Sequence, residues 1–249
     1  MSPDDAQSAA AAVLAKQLGA RKVLVVDDSG YGAGFAVYFT RAARQLGLRV
    51  VDRERWDPRK PELRRLAARA RRSGAQAVYL CGLIDSSAGE VLRTLRAALP
   101  RPVAMIGCDG LLPVSLLYEQ AGPAARGMYL TIEGVVSERL RAAGKKFVRD
   151  FGATQPGARV DIASVYAAQA AEVLLEAIAR SDGTRASVAS QLFKARVHDG
   201  LIGDFTIDAD GDPTPAPITI VRVQHGGGRD IVLSYDGARV DRVIIPAGG

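Results

Sequence analysis

The sequence is poor in the residues that most often carry chemistry. Among 249 residues there are two cysteines, two histidines and one tryptophan. Cys81 and Cys108 are too few and too far apart for a zinc site. His198 and His225 lie in different segments with no Ser or Cys arrangement beside them, so no hydrolase is read and no catalytic residue is assigned. Long apolar runs are scarce too. PVAMIG and VIIP fall far short of the roughly 20 residues of a bilayer span, so no transmembrane helix is expected. The N-terminal MSPDDAQSAAAAVLAKQLGARK has acid before its alanine run and continues into an amphipathic pattern, so it does not read as a signal peptide.

Charge is not scarce. The formal net charge is +6, and much of it sits in RKPELRRLAARARRSG, Arg59 to Gly74. Leu63, Leu66, Ala67 and Ala70 form one face of this segment and the arginines the other. Aromatic side chains do not interleave with the basic ones, so it reads as a solvated helix face and no nucleic-acid partner is assigned. DADGD, Asp208 to Asp212, begins like a calcium loop, but Thr219 stands where the loop needs Glu; a polar turn is expected, with no metal and no cofactor.

The organisation is set by VLVVDDSGYGAGF, Val23 to Phe35. Four aliphatic residues bounded by Asp and Gly read as a buried parallel strand, and FAVYFTRAARQLG has apolar residues at helical spacing. Strand-like runs recur in LRVVDRE, AVYLCG, PVAMIGC and GMYLTI, with helices at 32–46, 60–73, 86–98 and 113–121 between them. This alternation predicts an α/β fold with a Rossmann-like parallel sheet in the order 2-1-3-4-5 over residues 1–131. Three helices are expected over residues 134–196: SERLRAAGKKFVRDFG, IASVYAAQAAEVLLEAIARS and RASVASQLFKARV. LIGDFTIDADGDP then reads as a turn-rich crossing, followed by strands PITIVRVQHG, DIVLSYDG and ARVDRVIIP.

Ligands of open α/β sheets bind outside the carboxyl ends of the strands, which places the loop after Asp27 at the centre of interest. A phosphorylated receiver domain needs a phosphoacceptor Asp directly after strand 3 and a Lys after strand 5. Here strand 3 ends in Cys81 and Gly82, and strand 5 in Thr131, Ile132 and Glu133. A dinucleotide enzyme needs G-x-G-x-x-G; Asp52 suits its ribose acid, yet Gly30, Gly32 and Gly34 are misspaced and two carboxylates precede them. The third reading is a small-molecule cleft with Tyr31 at its mouth. Tyr31 either lines that cleft or packs over the helix N-terminus. Asp109 either pairs with an ammonium group or caps the helix LLPVSLLYEQAG, and Ser86 or Ser87 caps the helix before it. Cys81 and Cys108 lie at the ends of neighbouring strands, so a bridge requires only that both side chains share a face.

DDSGYGAGFAVYF, AVYLCGLIDSSAGEVLRTLRAA, IGCDGL, AARGMYLT, SVYAAQAAEVLLEAI and LIGDFTIDADGDPTPAPITIVRV together resemble the branched-chain amino-acid (Leu/Ile/Val) binding proteins of ABC importers, from about Ala9 to Val223. The resemblance implies a type I periplasmic binding fold, an extracytoplasmic location, a small-molecule ligand such as an amino acid, and ABC transporter membrane subunits as partners. It implies that Tyr31, with Gly30, Leu83, Ile84 and Asp85, lines the ligand and that Asp109 binds its ammonium group. In the family an aromatic often stands where Leu83 and Ile84 stand here. It further implies a ligand-binding lobe of residues 1–131 and 216–249, and helices over 132–215 belonging to a second lobe whose remainder precedes Met1 in the family. The chain is expected to represent about two thirds of a binding protein. The alternatives are a cytoplasmic ligand-sensing domain of a regulator with the same fold and a nucleotide-dependent enzyme. The stripe Ile162, Val165, Tyr166, Gln169, Val173, Leu174 and Ile178 is expected to lie open for another polypeptide, which makes 134–200 a candidate homo-oligomer surface.

Overall fold

The computed structural model describes residues 1–60, 62–154, 159–225 and 235–246. They divide into two units, one of Asp4–Ile132 with the segment from Ile218, the other of Met1–Pro3 with Glu133–Pro217.

The larger unit begins with α1 (Asp4–Gln17) and then alternates: β1 (Lys22–Asp27), α2 (Gly32–Gln45), β2 (Arg49–Arg55), α3 (Leu63–Ser73), β3 (Ala77–Cys81), α4 (Gly89–Ala98), β4 (Ala104–Gly107), α5 (Val114–Ala121) and β5 (Tyr129–Glu133). β1 pairs in parallel with β2 and β3, β3 with β4, and β4 with β5. The expected order 2-1-3-4-5 is therefore the one observed. β1 and β3 are buried along almost their whole length, which is why they read as unbroken apolar runs rather than as alternating ones. Val23, Val25, Ala77, Tyr79 and Ile106 share a cluster with Leu14 of α1 and Phe35 and Phe39 of α2, and Phe39 stacks on Tyr79 at 4.4 Å between ring centroids.

Edge strand β2 alternates charge instead. Asp52 and Glu54 both bond Arg69 of α3, while Arg53 and Arg55 pair with Asp27 at the end of β1. The basic helix α3 buries Leu66 and Ala70 and keeps most of its arginines exposed.

Two more elements in sequence order, β9 (Ile218–Val223) and β10 (Ala238–Ile244), pair antiparallel and extend the sheet beyond β5. Most of the expected strand DIVLSYDG lies outside the described residues.

The smaller unit contains α6 (Ala142–Ala153), α7 (Ile162–Ala179), α8 (Arg185–Leu192) and an antiparallel sheet of β6 (Arg196–Gly200), β7 (Gly203–Ile207) and β8 (Pro213–Thr214). This sheet corrects the sequence reading: RASVASQLFKARV is not one helix, and LIGDFTIDADGDP is not only a crossing. Gly200 pairs with Gly203 across a two-residue turn, and Gly203 at φ 101° takes a backbone that suits only glycine. Asp208 closes the DADGD turn by accepting from the amides of Asp210 (3.0 Å) and Asp212 (2.9 Å).

α7 corrects one expectation. By length and apolarity alone, with a mean hydropathy of 1.4, it passes the test for a membrane span. Yet Ile162, Val165, Tyr166, Gln169 and Val173 are buried, and Val165 joins Leu140 and Val160 in a core flanked by Phe147, Val148 and Leu201. Gln169 accepts from the Leu201 amide at 2.5 Å and donates to Glu172 at 3.1 Å, as expected of a core helix. The stripe is thus largely covered within the chain, leaving Leu174, Leu175 and Ile178 exposed.

The tightest junction in the larger unit is Gly32, where an added Cβ would sit 2.1 Å from the Cys81 carbonyl oxygen. Since backbone rather than a mobile side chain blocks it, Gly32→Ala should cost about 1–3 kcal/mol, read as a lower urea midpoint. An unchanged midpoint would contradict the packing of α2 on β3.

Candidate functional site

The carboxyl ends of β1, β3 and β4 carry the site. Directly after β1, the buried Asp28 receives three backbone N–H groups. Its Oδ1 accepts from Gly30 (3.1 Å) and Gly32 (2.8 Å), and its Oδ2 accepts from Leu83 at 3.0 Å in the loop after β3. Asp27 is fully buried, neutralised by Arg53 Nε at 2.7 Å, and accepts from Ser29 N. Glycine at 32 lets the loop close on the Cys81 carbonyl, where an added Cβ would clash, and Ser29 at φ 62° takes the loop's left-handed position.

The loop delivers Tyr31 to the N-cap position of α2, where its ring lies 5.2 Å from that of Phe35. Its hydroxyl donates to both oxygens of Asp109, at 3.0 and 3.1 Å. Tyr31 thus packs over the helix start and presents its hydroxyl to Asp109. The helix-cap reading of Asp109 does not hold. α5 starts from Pro113 without a side-chain cap, and the Asp109 carboxylate is turned to Tyr31 instead. Nor do Ser86 or Ser87 cap α4. The Ser86 carbonyl accepts from the Trp56 indole at 2.6 Å, and the Ser87 hydroxyl donates to the Pro58 carbonyl.

Of the residues named from the sequence, Tyr31, Gly30, Leu83 and Asp109 are tied together by these bonds. Tyr31 and Leu83 are each about two fifths exposed, at 39% and 42%. Ile84 is buried, and Asp85 lines a cavity of about 370 Å3 with Glu90, Arg93, Glu119 and Gln120. Besides Asp28, two residues were missed. Gly110 underlies the Tyr31 ring, for a Cβ there would lie 2.7 Å from Tyr31 Cε1 and 2.6 Å from the Gly82 carbonyl. The signal was present as the glycine of CDG, directly after the carboxylate. Asp4, at the start of α1, is the other: burial and then the charge of Asp109 push its carboxyl above the usual range. Nothing in its local sequence linked it to Asp109.

The electrostatics of this edge are one-sided. Burial and then the Asp109 charge raise Tyr31 far above the ordinary tyrosine range, so it stays a donor. Cys81 and Cys108 follow side by side beyond the Leu80–Gly107 pair and belong to one buried cluster, yet both thiols are free. Burial, then the Asp109 charge, pushes Cys108 up to about 12, which keeps the reactive thiolate from forming. Among the described residues no group of three or more His, Cys, Asp or Glu could hold a metal ion.

Comparison with known proteins decides the lineage. A family model described as periplasmic binding protein matches residues 1–229. The chain belongs to this family. No curated protein matches it. Among solved structures, this periplasmic binding protein is similar to the leucine-binding protein LivK of Thermotoga maritima, with TM-score 0.78, 25% identity and coverage of 98% of this chain and 66% of that one. A putative branched-chain amino-acid ABC transporter protein from Rhodospirillum rubrum follows, with TM-score 0.72, 22% identity and coverage of 93% and 66%. A solute-binding protein from Rhodopseudomonas palustris, solved with p-hydroxybenzoic acid, has TM-score 0.69, 18% identity and coverage of 95% and 65%. The chain thus spans 66%, 66% and 65% of the length of these three structures.

The Tyr31–Asp109 bond can be read by titration. In Asp109→Asn the charge that raises Tyr31 is gone while burial remains, so Tyr31 should ionise at lower pH than in the wild type, yet above the ordinary value of about 10. Ultraviolet difference titration should show the Tyr31 ionisation moving down, with a smaller shift of Tyr79, which burial first and, to a smaller extent, the same charge raise. Superimposable titration curves would contradict the pairing.

Proposed function

We propose that this chain is the ligand-binding part of a solute-binding protein of an ABC importer, taking an amino acid or a similar small molecule with a cationic amine. Residues 1–131 and 216–249 are read as the ligand-binding lobe, and 132–215 as helices of an incomplete second one. The carrying observation is the Tyr31 hydroxyl and Asp109 carboxylate set against each other at the strand ends, with Asp4 close enough to feel the same charge. Among the described residues the Asp109 carboxylate is answered by a neutral hydroxyl, and it can gain more from an ammonium group, because charge-assisted hydrogen bonds are the stronger kind. Leu83, whose amide is bonded to Asp28 as that of Gly30 is, supplies exposed apolar surface. Membrane subunits of the importer are the partner, and the extracytoplasmic space is the location that family membership supports.

Structural neighbours include proteins with leucine-type and with aromatic-acid names, and Asp109 favours the first. An aromatic acid brings only a negative charge, whereas a zwitterionic amino acid carries, besides its carboxylate, an ammonium group that Asp109 can bind. Isothermal titration calorimetry with L-leucine, L-valine and p-hydroxybenzoate should show heat for the amino acids. Asp109→Asn should weaken that binding by about 1.5–3 kcal/mol, the scale of a hydrogen bond to a charged group. Equal affinity of mutant and wild type for L-leucine, or binding of p-hydroxybenzoate alone, would overturn the ammonium role.

A further inference from the structure

Asp28 is 3% exposed and no arginine or lysine reaches it among the described residues, in contrast with its neighbour Asp27, which Arg53 and Arg55 neutralise. A buried carboxylate held by amides alone is costly unless each oxygen is well used. Here the two oxygens are divided between two loops. Oδ1 takes the Gly30 and Gly32 amides of the loop that carries Tyr31, and Oδ2 takes the Leu83 amide of the loop after β3.

The far end of that second loop is pinned separately. Trp56 donates its indole N–H to the Ser86 carbonyl at 2.6 Å, and its ring lies against Gly82, where an added Cβ would meet it at 2.7 Å. The same Cβ would meet the Asp28 Cβ at 2.9 Å. Glycine at 82 is thus what lets Asp28 and Trp56 close on the segment from both sides. Leu83 itself is 42% exposed, among the described residues its amide is bonded by the Asp28 side chain, and the segment after it includes Ser87 at φ 62°.

We infer that Asp28 is a positioning residue for the ligand site, coupling the Tyr31 loop to the Leu83 loop through its two carboxylate oxygens, so that aromatic hydroxyl and apolar side chain keep one spacing. This deepens the solute-binding reading and rests on it for the ligand, though not for the coupling. The prediction turns on the chemistry of one substitution. In Asp28→Asn the remaining carbonyl oxygen can still accept from Gly30 and Gly32, while the new NH2 faces the Leu83 N–H, donor against donor.

The test uses the full chain, with three readings on wild type and Asp28→Asn: amide hydrogen exchange at Gly32 and Leu83, acrylamide quenching of the sole tryptophan, Trp56, and calorimetric affinity for L-leucine. The expected result is about tenfold faster exchange at Leu83 with Gly32 unchanged, increased quenching of Trp56, and about tenfold weaker L-leucine binding, with the melting midpoint lowered by only a few degrees. Wild-type exchange and quenching in the variant would overturn the coupling. Altered exchange with unaltered affinity would overturn its role in the site. A wild type that binds no L-leucine overturns leucine as the ligand, and exchange and quenching then decide the coupling alone. If Asp28→Asn does not fold, Leu83→Pro replaces it: φ −87° and ψ 146° at Leu83 are near those of proline, so the N–H is deleted with the carboxylate in place. Faster quenching of Trp56 in that variant supports the coupling, and wild-type quenching overturns it.

Discussion

Two consecutive buried carboxylates at the end of β1 set the terms for the rest of the larger unit. A charge taken out of water must be matched at once, and Asp27 and Asp28 are matched by different means. Asp27 draws Arg53 and Arg55 from edge strand β2, which fixes how that strand presents its alternate residues and so leaves Asp52 and Glu54 to meet Arg69 of α3. Asp28 draws backbone amides instead, and so shapes the two loops on which Tyr31 and Leu83 stand.

The same constraint separates this edge from a phosphate site on a similar fold. A dinucleotide loop leaves its amides free to point at pyrophosphate, whereas here the Gly30 and Gly32 amides are already taken by Asp28. The acid suited to a ribose, Asp52, is held by Arg69. What the edge offers is negative: Asp109 and Asp4 on the open side, and a tyrosine whose proton is firmly held. Chemistry of this sign suits a cationic group and no phosphate.

The core of the fold was legible because parallel strands buried on both faces leave a simple trace, and VLVV, AVYLC and AMIG are all such traces. The hairpin of β6 and β7 was not. Its residues are mostly half or fully exposed, so they carry no apolar alternation, and only the spacing of Gly200 and Gly203 marks the turn. At the site, Tyr31 and Asp109 could be named from their places at strand ends, but their mutual bond spans 78 residues and has no local signature. Gly110 and Asp28 escaped for a related reason: a glycine under a ring and an acid wrapped by amides look, in sequence, like an ordinary turn and a repelling charge. α7 misled in the opposite direction, because an apolar stripe does not say which surface covers it, and Phe147, Val148 and Leu201 flank the core it joins.

The central claim is that small amine-bearing solutes bind where β1, β3 and β4 end. The most direct measurement is a titration of the 15N-labelled chain with L-leucine, following every backbone amide by NMR. The account expects saturable shifts concentrated at Gly30, Gly32, Leu83 and Gly110. Saturable shifts that spare these four and gather elsewhere, such as at the opposite strand ends near Lys22, Arg49 and Ser73, would contradict it.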